Sequence, residues 1–157
     1  METKKKIVII DDEKDLCFLM QDILERTGRF RVLSAYSGLE GQELCLKERP
    51  DLIFLDFIMP QVTGPDVAKF LKANPSTADI PIIVISGQSR MEEFKPEENQ
   101  RDPDALVREG GENFPEKMWR KFSSELAHNL GIEAYLPKPF SKSELLEITE
   151  KVLKEKE

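Results

Sequence analysis

Chemically capable residues recur at the ends of apolar runs in this chain. Asp11-Asp12 follows Ile7 to Ile10, Asp56 closes Leu52 to Leu55, Ser86 closes Ile82 to Ile85, and Lys138 follows Ala134 to Leu136 by two residues. Taken singly, most have ordinary readings: an Asp pair caps a helix, and a lone Ser or Lys is a surface residue. Asp56 resists such a reading, because a carboxylate ending a run of four apolar residues is half-buried and needs partners. If the runs are strands of one parallel sheet, three carboxylates, a hydroxyl and an ammonium meet at its carboxyl edge, where open α/β sheets bind ligands. Like charges so close call for a cation, and hard oxygen donors with room for water suit Mg²⁺. A carboxylate nucleophile beside a metal and a Lys is the equipment for phosphoryl transfer to Asp.

The elements that must position these residues follow from hydrophobic periodicity. Short Ile- and Val-rich runs alternating with amphipathic stretches predict parallel βαβ units. Strands are expected over Lys6 to Ile10, Phe30 to Ala35, Leu52 to Asp56, Ile82 to Ser86 and Ala134 to Leu136. Helical spacing links Leu16, Leu19, Met20, Ile23 and Leu24, then Leu39, Leu44 and Cys45, then Val67, Ala68 and Leu71. Gly28 and Asn74-Pro75 mark helix ends, and Ser141 to Glu144 forms a capping box before Leu145, Ile148 and Val152. The fourth crossover is too long for one helix and its loops. The acidic, apolar-poor stretch Gln88 to Asn113 is therefore read as a surface insertion, with a short helix after Pro103 ending at Gly110. The delayed crossover helix begins at Pro115 and carries Met118, Trp119, Phe122, Leu126 and Leu130.

With 157 residues, 39% of them hydrophobic and 34% charged, the chain is expected to form one domain over 1–157 with an inserted segment at about 88–113. Cys17 and Cys45 lie among apolar residues without C-x-x-C spacing, which predicts buried thiols in a reducing compartment rather than a disulfide framework. The run Ile7 to Ile10 is too short for a signal peptide and no apolar run reaches membrane-spanning length, so a cytoplasmic protein without membrane insertion is expected. A net charge of −7 argues against direct nucleic-acid binding. Lys4 to Lys6 reads as a solvated strand entrance. A single His, His128, excludes multi-histidine metal sites and reads as a solvated helix residue. The lone Trp119 reads as packing, and without a G-x-x-x-x-G-K-[ST] loop nucleotide binding has no support.

Four motifs in order carry a family resemblance. They are Asp11-Asp12, then Asp56-Phe57-Ile58-Met59-Pro60 with Gly64, then Ser86-Gly87, then Tyr135-Leu136-Pro137-Lys138-Pro139-Phe140. In these the chain resembles a response-regulator receiver domain of the CheY-like superfamily. The resemblance implies a flavodoxin-like, doubly wound five-stranded parallel sheet of order 2-1-3-4-5 flanked by five helices. It also implies that Asp56 accepts a phosphoryl group from a phosphohistidine on a sensor histidine kinase or phosphotransfer protein. Asp11, Asp12 and Asp56 match the Mg²⁺ ligands, completed by the backbone carbonyl of Ile58. Ser86 matches the hydroxyl that turns toward the acyl phosphate, Lys138 its pairing cation, and Tyr135 the aromatic switch. Lys138-Pro139 resembles a bond that the family holds in cis. Three departures stand out: Ser86 replaces the commoner Thr, Gly87 stands where Ala is usual, and the insertion directly follows them, in the loop that moves on phosphorylation in the family.

The resulting expectation is a signalling phosphoacceptor of a two-component phosphorelay, not an enzyme, acting by phosphorylation-dependent conformational change on an unknown downstream protein. Lys138 and Ser86 are expected to engage only once phosphoryl oxygens are present. One alternative is a haloacid-dehalogenase-like aspartyl phosphatase. Those enzymes carry a second Asp two residues after the nucleophile as acid/base, and here that position is Ile58. The other alternative is a receiver-like binding scaffold that is never phosphorylated, disfavoured because every chemical position is filled.

Overall fold

Strands covered on both faces need apolar residues at every position, not at alternate ones, and this chain supplies them. In a computed structural model describing residues 3–87 and 130–157, five parallel strands form one sheet in the order β2-β1-β3-β4-β5. They are β1 (Lys5–Ile10), β2 (Phe30–Ala35), β3 (Leu52–Asp56), β4 (Ile82–Gly87) and β5 (Ile132–Lys138). Four helices lie among the described residues: α1 (Lys14–Glu25), α2 (Gly38–Glu48), α3 (Gly64–Ala73) and α4 (Lys142–Glu155). This is the doubly wound, flavodoxin-like order that the family resemblance implies. The predicted insertion at 88–113 lies outside the described residues, as do Trp119, His128 and the delayed crossover helix except for Leu130, which is helical and buried.

Alternation along the strands divides the core in two. Ile7 and Ile9 of β1, Leu52 and Phe54 of β3, and Ile83 and Ile85 of β4 pack with Cys17, Met20 and Leu24 of α1 and with Leu145 and Val152 of α4. The intervening residues, Val8 and Ile10, Ile53 and Leu55, Ile82 and Val84, pack with Cys45 of α2 and with Val67, Ala68 and Leu71 of α3. Each of the three central strands thus feeds both layers.

Helix ends follow their side-chain chemistry. Thr63 with Asp66, and Ser141 with Glu144, form reciprocal capping boxes, while the Ser37 hydroxyl accepts from the Glu40 N–H. The Thr77 hydroxyl, buried, donates to the Leu71 carbonyl at 2.7 Å and closes α3.

The structure corrects three local readings. Leu19 and Leu39 leave the apolar faces assigned to them and are 52% and 58% exposed. Leu19 sits about 100° around α1 from the buried Met20, and Leu39 lies in the first turn of α2 between the buried Gly38 and Gly41. Lys6 is not merely solvated: its ammonium donates to the carboxylate of Glu48 at 2.9 Å and to its carbonyl at 3.2 Å. β5 is longer than predicted because it is an edge strand, where exposed Glu133 and Pro137 are tolerated and blur the apolar pattern.

Two glycines are needed for different reasons. Gly28, after α1, has φ +78° with open space around it, whereas a Cβ on Gly64 would lie 2.5 Å from Phe57 Cα and 2.6 Å from the Asp56 carbonyl oxygen. Gly28→Ala is expected to lower stability by about 1 kcal/mol through backbone conformation alone. Gly64→Ala should cost roughly 2–3 kcal/mol through backbone displacement. Denaturant unfolding of both variants measures the difference; equal losses would show that the Gly64 contact relaxes freely.

Candidate functional site

Strand register brings the acidic residues together. β1 ends at Ile10 opposite Leu55 of β3, so the next residues along each strand, Asp11 and Asp56, emerge side by side. Asp12 follows at the turn into α1. Among the described residues, Asp11, Asp12 and Asp56 are the group able to hold a metal ion, one carboxylate oxygen from each lying within 4.8 Å of the others. Asp11 and Asp56 are fully buried and Asp12 partly so.

The cation arrives from the far side of the sheet. Lys138 ends β5, with β4 between it and β3, and a long unbranched side chain is what spans that distance. Its ammonium donates to Asp11 Oδ2 at 2.7 Å and lies 3.5 Å from Glu13 Oε1 and 3.7 Å from Asp56 Oδ2. The expectation that Lys138 waits for phosphoryl oxygens therefore needs correcting: it is already the counter-charge of a buried carboxylate. The Lys138-Pro139 bond is cis. Ser86 lies in β4 opposite Pro137, and Tyr135 lies on β5 opposite Val84, half-buried.

The carboxylates are further ordered by their own backbone. Asp11 Oδ1 accepts the Glu13 N–H at 2.9 Å, and Asp56 Oδ1 accepts the Ile58 N–H at 3.2 Å. Asp11 is not simply a helix cap, because the N-cap residue of α1 is Glu13 and the other Asp11 oxygen holds Lys138. Glu13 escaped the sequence reading. The available signal was a third consecutive acidic residue after the strand, but only the cap geometry shows where its side chain goes.

One ammonium does not offset this much buried negative charge. Burial, reinforced by the Asp11 charge and only partly opposed by Lys138 and the Ile58 N–H, pushes the Asp56 carboxyl up to about 7. Asp11 is also raised, by burial first, despite its hydrogen bond to Lys138. For Lys138, burial favours loss of the proton, but the hydrogen bond to Asp11 and the charges of Asp56, Asp11 and Glu13 outweigh it and raise the ammonium. Tyr135 is pushed up to about 12 by burial and then by the Asp56 charge. The Cys17 thiol is also raised to about 12, chiefly by burial and then by Asp11, and donates to the Asp11 carbonyl at 3.4 Å. Cys17 and Cys45 are buried thiols, as the sequence predicts.

Known proteins resemble this chain in sequence and in fold. Residues 7–99 match the family model of the response regulator receiver domain. The transcriptional regulator RpaA of Synechocystis is 35% identical over 88 residues, covering 56% of this chain and 36% of that protein. The polar-differentiation response regulator DivK of Brucella anthropi is 33% identical over 82 residues, covering 52% of this chain and 66% of that one. The chain thus matches about a third of RpaA and just under two thirds of DivK. Among solved structures, chemotaxis protein CheY4 of Vibrio cholerae superposes with a TM-score of 0.69 at 20% identity, covering 96% of this chain and 99% of that one. At that identity the likeness concerns the fold alone. The N-terminal domain of a receiver protein from Methanoculleus marisnigri gives 0.61 at 26% identity, covering 96% and 98%. No helix among the described residues is long and apolar enough to cross a membrane.

The raised Asp56 carboxyl fixes a pH dependence. Its folded-state value lies above the ordinary 3.8, so the folded protein binds a proton that the unfolded chain has released. This contribution to stability is fully present below about pH 4 and is lost as pH rises through about 7. The span from 3.8 to about 7 corresponds to on the order of 4 kcal/mol. In chelator, Asp56→Asn is therefore expected to raise the melting temperature by several degrees at pH 8, with the gap closing toward pH 5. A gap independent of pH would show that the Asp56 charge is already compensated.

Proposed function

The chain belongs to the response regulator receiver domain family, and we propose that it is the phosphoryl-accepting module of a two-component phosphorelay, with Asp56 as the acceptor. The observation that carries this reading is a fully buried carboxylate at a strand end, with Asp11 and Asp12 oxygens within 4.8 Å and the Lys138 ammonium 3.7 Å away.

The donor set fits Mg²⁺: all three side chains offer hard oxygens, two of them buried with charge that Lys138 alone does not offset. Asp11, Asp12 and Asp56 would hold it, with the backbone carbonyl of Ile58. When bound, Mg²⁺ neutralises charge on phosphoryl oxygens and so permits an anionic donor to approach an anionic acceptor. A carboxylate oxygen of Asp56 then forms the bond to phosphorus as the phosphorus–nitrogen bond of a phosphohistidine breaks. The bonding pair stays on the imidazole nitrogen of the kinase or phosphotransfer protein. Lys138 pairs with a phosphoryl oxygen, the Ser86 hydroxyl turns toward the acyl phosphate, and Tyr135 moves inward behind it, altering the surface offered to a downstream protein.

Ile58 is a half-buried apolar side chain two residues beyond the acceptor. It provides neither the proton of a haloacid-dehalogenase-type acid/base nor a group to orient water, so the module signals rather than turns over substrate. A cytoplasmic site of action and the absence of direct nucleic-acid contacts belong to the same proposal, the latter supported by the net charge of −7.

Incubation with a small-molecule phosphodonor, followed by intact mass measurement, tests the reading. The parent should gain one phosphoryl group in Mg²⁺ and none in chelator, and Asp56→Asn should gain none. Labelling of the Asn variant to the parent level would overturn the assignment. Lys138→Ala should lower the stability of the metal-free protein by roughly 3–5 kcal/mol, because a buried ion pair loses one partner, and Mg²⁺ should restore much of it. Equal stabilities in chelator would contradict the charge balance proposed for Lys138.

A further inference from the structure

Lys138 is held by more than the carboxylate beneath it. Asp11 Oδ1 accepts the backbone N–H of Glu13 at 2.9 Å, and Asp11 Oδ2 accepts from Lys138 at 2.7 Å. The Glu13 carboxylate closes the ring on the solvent side, 3.5 Å from the same ammonium. Glu13 is thus nearer to Lys138 than Asp56 is, at 3.7 Å.

The Glu13 side chain is also withheld from its local task. It occupies the N-cap of α1, where a short polar side chain ordinarily accepts an N–H of the first turn, yet it makes no capping hydrogen bond. The Lys138 side chain is 11% exposed and that of Glu13 is 45% exposed, so the ammonium lies between a buried acceptor and a solvent-side carboxylate.

We propose that Glu13 is a positioning residue that tethers Lys138 on its Asp11 side and competes for the ammonium with a phosphoryl group on Asp56, setting the affinity of the site for that group. The inference rests on the phosphoryl-acceptor reading of Asp56. A phosphoryl group on Asp56 must draw Lys138 from the Glu13 side of the ring, so the ammonium has two competing positions. The favoured one depends on differential interactions at each. Asp11 does not settle this competition, since it serves the cation site as well, whereas Glu13 is not one of the three carboxylates that would hold the cation.

The test uses beryllofluoride with Mg²⁺ as the phosphoryl mimic, its dissociation constant measured by ¹⁹F NMR on the whole chain. Glu13→Gln should bind it roughly three- to fivefold more tightly, the scale of one lost surface ion pair. Asp15→Asn removes the same charge two residues on, within the first turn of α1, and should change the constant less than twofold. Mg²⁺ alone, titrated calorimetrically, should bind Glu13→Gln no more tightly than the parent. Unchanged or weaker beryllofluoride binding by Glu13→Gln would overturn the tether. Equal tightening by Asp15→Asn would also overturn it, by showing that bulk charge is responsible. A parent that binds no beryllofluoride would overturn the phosphoryl-acceptor reading itself, and the tether with it.

Discussion

Two buried carboxylates sharing one ammonium set the terms for everything at the carboxyl edge of the sheet. Asp11 and Asp56 emerge from neighbouring central strands because the β1–β3 register leaves them no other place. Neither is exposed, and Lys138 lies 2.7 Å from one and 3.7 Å from the other. Burial of like charges is unfavourable unless a cation or a proton relieves it. The arrangement therefore stores an affinity for positive charge that an ordinary core would not have. Acidic side chains at this edge cost stability as long as no cation relieves them, and under the proposed function they leave a position prepared for a cation and then a phosphoryl group.

Much of the fold was legible because strands covered on both faces carry unbroken apolar runs. Ile7 to Ile10, Leu52 to Leu55 and Ile82 to Ile85 stand out at once, and the residues that end them are conspicuous for the same reason. The edge strand β5 is less legible, since Glu133 and Pro137 interrupt its pattern where solvent tolerates them. Leu19 and Leu39 are exposed despite their apolar identity, which marks a helix face only to within about one residue; Leu19 lies next to the buried Met20.

The meeting of residues at the candidate site was legible, their resting relations less so. Asp56 and Lys138 could be named from strand ends, but that Lys138 already serves Asp11 depends on the path of a side chain across β4. Glu13 offered only one more acidic letter after two others. What separates it from Asp15 is the cap geometry of α1, which a pattern of residue types does not encode. Gly64 appeared as a motif letter, whereas the structure supplies its reason in the backbone of Asp56 and Phe57, with no room for a Cβ. The Gly64 N–H also donates to the Phe57 carbonyl at 3.1 Å.

The strand order has a temporal side. Asp11, Asp12 and Asp56 belong to β1, β3 and their adjoining turns, and these strands pair directly with each other. Lys138 belongs to β5, which joins the sheet only through β4 and lies 127 residues along the chain from Asp11. As the chain leaves the ribosome, all three acidic residues are therefore synthesised long before the ammonium that pairs with them. Whatever brings β1 and β3 together before β5 docks must leave these carboxylates protonated, hydrated or occupied by a cation from the surroundings. Addition of β5 to the sheet and arrival of the only ammonium that contacts Asp11 and Asp56 among the described residues are therefore one event, and it relieves part of the buried negative charge.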